Sequence, residues 1–132
     1  MEIKDMKFTF KNVATINALL LFSLAVIWMF APNIFLSMWG IDYTYDLGLL
    51  SRRGAAAYAG VSAMLFFARS AQPSPIRSAL VTGFIVTCFI LSILGIIEFA
   101  TGHARAEILI SVFIEIAIGM SLWFANKHKT AG

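Results

Sequence analysis

The sequence predicts an all-α protein, a four-helix transmembrane bundle with a short interfacial helix between helices 1 and 2. The first observation is composition: of 132 residues, 60% are hydrophobic and only 13% are charged. A soluble domain of this length could not cover so much apolar surface with so few charges. The second observation is the pattern, because long apolar stretches alternate with short polar segments. The length suits one integral membrane domain, residues 1–132.

Four apolar stretches are each long enough to cross a bilayer, which takes roughly 20 residues of helix. They are predicted at about residues 13–31, 49–68, 76–100 and 106–125. A polar leader with three lysines precedes the first stretch. No small-x-small cleavage site closes that stretch, so we expect an uncleaved span. Pro32 ends the span, because proline cannot donate to the helical ladder.

Residues 33–41 follow Pro32 and place Phe35, Met38 and Trp39 on one side, as expected of an amphipathic turn lying along a membrane surface. Asp42, Asp46 and Gly48 are expected in the loop that leads to the second span.

In the second span, Ala55, Ala59 and Ala63 recur every four residues. Small residues at this spacing let helix backbones approach closely, which favours helix association and a homo-oligomer or larger membrane complex. The alternative is that alanine is common filler in membrane helices. In the last span, Glu107, Ser111, Glu115 and Gly119 recur every fourth residue and form a similar stripe that should face the bundle interior.

Four charged residues within or at the ends of the spans are predicted to form a buried cluster that binds a ligand or stabilises the bundle: Arg52, Arg53, Glu98 and Glu115. A two-pronged pair between Arg53 and Glu115 would best offset the cost of removing both charges from water. Otherwise Glu115 is protonated or faces a water-filled cavity. Polar residues expected to support the cluster are Tyr58, Ser62, Ser92 and Ser111.

Two interpretations of this cluster remain open. In the functional one, Arg52 and Arg53 bind an anionic or polar head group in a pocket, and Glu115 orients the ligand or binds a proton. In the structural one, an internal ion pair only fixes the packing register of the helices. Arg52, at a span end, is better explained as reaching the lipid phosphates.

Several classes of function are disfavoured. The two histidines are His103 in a loop and His128 in the opposite tail, and the single cysteine, Cys88, lies mid-span. We therefore expect no metal, no cofactor and no catalytic residue. Basic residues lie beside the spans rather than on one exposed face, so no nucleic acid is expected as a partner. The lysines and arginines favour the side that holds both termini, which places the termini in the cytoplasm.

Two stretches resemble a known group of proteins: APNIFLSMWGI at Ala31–Ile41 and LSRRGAAAYAG at Leu50–Gly60. They resemble small bacterial four-helix membrane proteins with the general build of the DoxX-like group. The resemblance implies a four-helix architecture in a bacterial inner membrane, and no activity is transferred with it.

The first functional hypothesis is a non-enzymatic ligand-binding bundle or accessory subunit, whose partners are membrane lipids and a small hydrophobic or anionic ligand. The alternative is an oligomeric small transporter or channel with Glu115 as the proton- or ion-coupling group. A membrane enzyme that acts on a lipid or quinone, with Glu115 or Glu98 as its acid–base group, ranks last, because the sequence supplies no second catalytic partner beyond the arginines.

Overall fold

The computed structural model describes residues 8–127, so most of the polar leader and of the polar tail lies outside the described residues. The described chain is all-α, as predicted, and its helices are α1 (Phe10–Phe30), α2 (Pro32–Met38), α3 (Tyr45–Phe67), α4 (Pro75–Ala100) and α5 (Ile108–Lys127). The short helix α2 lies between the first two long helices, where the sequence predicts an interfacial helix.

Hydroxyl side chains fix where three of the long helices begin. Thr9, Thr44 and Ser74 each accept a hydrogen bond from the backbone N–H three residues later, which satisfies one of the free donors of a first turn. Capping by Thr44 starts α3 at Tyr45, four residues before the predicted start. Asp46 and Gly48 therefore lie inside α3 and not in the expected loop.

The long helices form two closely packed antiparallel pairs. In the first pair, α1 contacts α3 through small side chains such as Ala18 and Ala55, which are almost completely buried. Ser62 on α3 donates a hydrogen bond to the carbonyl oxygen of Ala18 at 2.6 Å. Small side chains let the two backbones approach closely, so the predicted role of Ala55 in packing is realised within the chain.

In the second pair, glycines bring α4 and α5 together. A Cβ atom added at Gly95 would lie 2.5 Å from Val112 Cγ2 on α5. Gly119 on α5 faces Cys88 in the same way, with 3.4 Å between an added Cβ and the cysteine Cβ. The absence of a side chain at these positions sets how close α4 and α5 lie.

The two pairs meet mainly through α1 and α5. The Asn17 side-chain amide donates to the Ser121 hydroxyl at 3.0 Å across this contact. We call the end of the bundle where α1 begins and α5 ends the terminal end, and the opposite end the α2 end. At the α2 end, the backbone N–H of Arg105 donates to the Trp39 carbonyl at 2.9 Å, which joins the α4–α5 loop to α2.

Three helices, α1, α4 and α5, are long and apolar enough to cross a membrane, judged by length and composition. Large apolar side chains cover their outward faces; Phe30 and Ile76, for example, are more than 80% exposed. Helix α3 is not among the three, since it carries Asp46, Arg52 and Arg53 together with many small residues. The helices thus indicate a membrane protein.

The glycine contact between α4 and α5 gives a matched pair of tests. Gly95→Ala should lower the stability of the protein by roughly 1–3 kcal/mol, because the stiff Val112 side chain must be displaced. Gly83 lies in the same helix with nothing within 4 Å of an added Cβ. Gly83→Ala should therefore be neutral or stabilising by up to about 1 kcal/mol. Thermal unfolding in detergent measures both, and equal losses in the two variants would contradict the packing described.

Candidate ligand-binding site

An apolar cavity of about 520 Å³ lies between the two helix pairs. Its walls come from all five helices, because α3 and α4 do not pack along their length in the way that α1–α3 and α4–α5 do. Leu21, Phe84 and Ile118 line its apolar interior. We call this space the interior cavity.

The interior cavity is open on the side of α3. Gly54 and Ala57 both line it and are both exposed, and no atom lies within 4 Å of a Cβ added at Gly54. A ligand would therefore reach the cavity from the side of the bundle, between α3 and α4, rather than along the bundle axis.

Aromatic rings close the cavity at the α2 end. Trp28 on α1 stacks on Phe35 of α2 with 5.0 Å between ring centroids, and Trp39 lies 5.4 Å from Trp28. All three rings line the cavity. The buried indole N–H of Trp39 has no acceptor among residues 8–127, so the Trp39 side chain is held by ring packing rather than by a side-chain hydrogen bond.

Glu115 places one carboxylate in this apolar wall. It lies seven residues into α5, about 10 Å from the helix start at 1.5 Å per residue. Ser92 on α4 donates a long hydrogen bond of 3.5 Å to its Oε2. Among the described residues that line the cavity, Glu115 alone is an aspartate, glutamate, lysine, arginine or histidine. The predicted inward position of the α5 stripe is therefore observed for Glu115 and Ser111.

The structure does not bring the four predicted charges into one cluster. Arg53 is exposed, and no hydrogen bond or ion pair joins it to another residue in the described part of the chain. Arg52 lies over the Tyr45 ring, 5.8 Å from its centroid. Neither arginine lines the interior cavity, so the expected Arg53–Glu115 pair is absent.

Arg53 and Glu115 are not paired because of the rotation of α3 about its axis, and not because the two residues lie at different depths in the bundle. Arg53 lies eight residues into the helix, about 12 Å from its start, a depth comparable with that of Glu115. Ala55 faces α1, and a residue two positions away is rotated by about 200° around a helix of 3.6 residues per turn. Arg53 therefore points away from the bundle.

Glu98 also has a local partner instead of a place in the cluster. Its Oε2 lies 3.2 Å from Nδ1 of His103 in the α4–α5 loop, and the exposed fraction is 71% for the His103 side chain and 45% for the Glu98 side chain. Glu107, predicted as the first residue of the inward stripe of the last span, instead lies before the start of α5 and is paired with Arg105 at 3.4 Å in the same loop. These are exposed contacts at the α2 end, of the kind that contribute little to stability.

The supporting polar residues divide into two sets. Tyr58 and Ser111 line the interior cavity. Ser62 is instead used in the α1–α3 contact, and Ser92 lines a second groove of about 330 Å³ on the α4–α5 side. Glu115 and Cys88 line both spaces.

Among residues 8–127, the most deeply buried charged side chain is that of Arg77, which the sequence does not single out. Arg77, 3% exposed, donates through Nε to Asn126 Oδ1 at 2.9 Å and through Nη1 to the Ala71 carbonyl at 3.0 Å. Its guanidinium carbon lies 4.2 Å from the centroid of the Phe10 ring. Arg77 thus ties α1, α4, α5 and the α3–α4 loop together at the terminal end. In the sequence, the only indication of this bridging role is that Arg77 follows Pro75, at the start of a helix.

Comparison of the chain with protein-family models, curated proteins and solved structures finds no match. The resemblance to the DoxX-like group therefore stays a prediction. No group of three or more potential metal-ligating side chains occurs within residues 8–127.

Replacing Arg77 should destabilise the terminal end. Arg77→Ala removes hydrogen bonds from a charged group and a cation–π contact, and we expect a loss of about 3 kcal/mol. Arg77→Lys should recover only part of the lost stability, because an ammonium group cannot reproduce the planar arrangement of donors of a guanidinium. Thermal unfolding of both variants, beside Arg53→Ala as an exposed-arginine control, measures the effect. An Arg77→Ala protein as stable as the parent would contradict the role assigned to Arg77.

Glu115 should be dispensable for folding. Because no arginine is paired with it, Glu115→Ala leaves no buried cation without its partner, and the unfolding temperature should stay near that of the parent. Arg53→Ala should behave likewise. A large loss of stability in both single variants, with no further loss in the double variant, would show that the two residues are paired after all.

Proposed function

We propose that this protein is a four-helix integral membrane protein that binds a small apolar ligand in the interior cavity without chemically changing it. The observation that carries the proposal is the open, apolar cavity with a single carboxylate in its wall. Cavities of several hundred cubic ångströms with few polar groups are typical of small-molecule sites.

We propose α3 as the fourth transmembrane helix. Its 23 residues would span about 35 Å, more than the hydrocarbon core requires. Arg52 and Arg53 lie toward the α2 end, where long side chains can extend to the membrane surface. Lys11, Arg69, Arg77 and Lys127 lie toward the terminal end. With Arg105 also at the α2 end, four lysines and arginines of the described residues lie toward the terminal end against three toward the α2 end, an excess that supports cytoplasmic termini. The bacterial inner membrane is proposed from the resemblance to the DoxX-like group.

An apolar ligand fits the wall better than an anionic one. Arg52 and Arg53, which the sequence interpretation assigned to an anionic head group, do not line the cavity. A membrane enzyme would need the same two arginines as its second catalytic group. Their position outside the cavity supports binding over catalysis, and it supports a hydrophobic over an anionic ligand.

A second candidate function is transport coupled to Glu115. It is favoured by one observation: Glu115 lines both the interior cavity and the α4–α5 groove. A carboxylate between two spaces is a suitable proton- or ion-binding group for alternating exposure. Flux into proteoliposomes tests it, since Glu115→Gln should abolish transport while the protein remains folded. Unchanged flux in that variant, or none in the parent, would rule it out.

Self-association is also part of the proposal, through the outward face of α3. Ala56, Gly60 and Ala63 are exposed there at spacings of four and three residues, which leaves a smooth surface for a second helix. Such an oligomer, or a complex with another membrane subunit, would cover the most weakly apolar of the long helices.

Native mass spectrometry of protein released from lipid nanodiscs tests ligand binding and assembly together. We expect a monomer or small oligomer that retains a hydrophobic molecule of defined mass. Ala57→Trp places a large side chain at the open side of the cavity and should release that molecule. Met64→Trp puts the same side chain at an exposed position of α3 outside the cavity and should not. A molecule absent from the parent, or retained equally by both variants, would contradict the proposed site.

A further inference from the structure

We propose that the ligand of the interior cavity is a lipophilic ammonium ion, an amphiphile whose cationic nitrogen pairs with Glu115 while its apolar part occupies the rest of the cavity. This inference rests on the proposed function, since it names the class of ligand bound at the same site. It follows from the charge, the hydrogen-bonding groups and the rings that line the cavity.

The charge of the lining favours a cation. Glu115 is the one charged side chain that the described residues contribute to the wall, and no arginine or lysine is among them. An anionic head group would meet a carboxylate with no cation to offset the repulsion. A cationic head group would give the half-buried carboxylate a positively charged partner, which residues 8–127 do not supply.

Two of the four hydroxyl groups of the lining, those of Ser51 and Thr87, are arranged as acceptors. Ser51 donates its hydroxyl proton to the Leu47 carbonyl at 2.7 Å, and Thr87 donates to the Gly83 carbonyl at 3.0 Å. Both hydroxyl protons are therefore used within their own helices, and the oxygen atoms present lone pairs only. Together with the Glu115 carboxylate, they suit a head group that donates hydrogen bonds, such as a protonated amine.

The rings of the lining suit the same ligand. Trp28, Trp39 and Tyr58 all contribute to the wall. Electron-rich ring faces attract organic cations and also pack against alkyl or aromatic groups. The carboxylate favours a lipophilic cation over a neutral lipid, because only the cation carries a positive charge. The aromatic rings and the apolar wall favour it over an inorganic cation, which has no apolar part.

The opening between α3 and α4 fits an amphiphile. Gly54 and Ala57 leave this side of the cavity uncovered, so an apolar tail longer than the cavity can extend outward between the helices. The ligand would enter from the surrounding apolar phase, and its nitrogen would stop at Glu115.

Cys88 provides the means of testing this ligand class. It is the only cysteine in the chain and lines the interior cavity together with Glu115. Alkylation of Cys88 by N-ethylmaleimide, followed by intact-protein mass spectrometry in nanodiscs, reports access to Cys88 through the interior cavity or through the α4–α5 groove, which Cys88 also lines. The probes are decylamine, decanol and decyl sulfate, which share one alkyl chain and carry positive, neutral and negative head groups.

We expect decylamine to slow the alkylation of Cys88 at concentrations about tenfold lower than decanol, because a charge-assisted hydrogen bond to Glu115 is added to the same apolar contact. Decyl sulfate should protect least. In Glu115→Gln, protection by decylamine should fall to the level of decanol. In Ala57→Trp, neither should protect, whereas Met64→Trp should behave as the parent.

The outcomes separate the ligand class from the proposed function. Equal protection of the parent by the three probes, or strongest protection by decyl sulfate, would overturn the ammonium ligand and leave apolar binding in place. No protection by any probe would overturn the proposed function itself. Protection that persists in Ala57→Trp would place the amphiphile in the α4–α5 groove, which also contains Cys88, and would contradict the site.

Discussion

Close packing within two separate helix pairs is the constraint on which the rest of the structure depends. Small residues allow α1 to approach α3, and glycines allow α4 to approach α5, so each pair is dense. The pairs are joined along α1 and α5 and at the terminal end, where Arg77 is buried. Helices α3 and α4 do not pack along their length, and the interior cavity lies in the space left between the two pairs.

The chemistry of the cavity follows from the same arrangement. Because α5 packs on α4 through Gly119 and Val112, its Glu115 is carried to the seam between the pairs rather than to the lipid-facing side. The rings of Trp28 and Phe35 close one end. A carboxylate is costly in apolar surroundings unless it is protonated or meets a suitable partner. A cationic ligand is such a partner, which connects the packing of the helices to the proposed function.

Much of the fold could be predicted from the sequence, because it depends on local properties of the chain. Apolar length placed the long helices, Pro32 ended the first of them, and the spacing of Ser111 and Glu115 indicated which side of α5 faces inward. Helix α3 starts four residues before the predicted position, because Thr44 caps its first turn. The lipid environment, orientation and oligomeric state remain proposals.

The predicted charge cluster shows what a sequence pattern leaves undetermined. The depths of Arg53 and Glu115 could be estimated from helix rise alone, and they are comparable. Whether two side chains face each other depends on the rotation of each helix, which is set by its packing partner. Ala55 binds α3 to α1, and that contact directs Arg53 outward. Likewise, the burial of Arg77 depends on Phe10 and Asn126, which are distant in sequence.

The central claim is that an open apolar cavity containing Glu115 separates the two helix pairs, and a crystal structure under xenon pressure tests it most directly. Xenon occupies apolar cavities, and its anomalous scattering reports its position. The account predicts xenon, or continuous density of a bound amphiphile, between Leu21, Phe84 and Ile118, with the Glu115 carboxylate at the edge. Helices α3 and α4 packed against each other along their length, with neither xenon nor ligand between them, would contradict it.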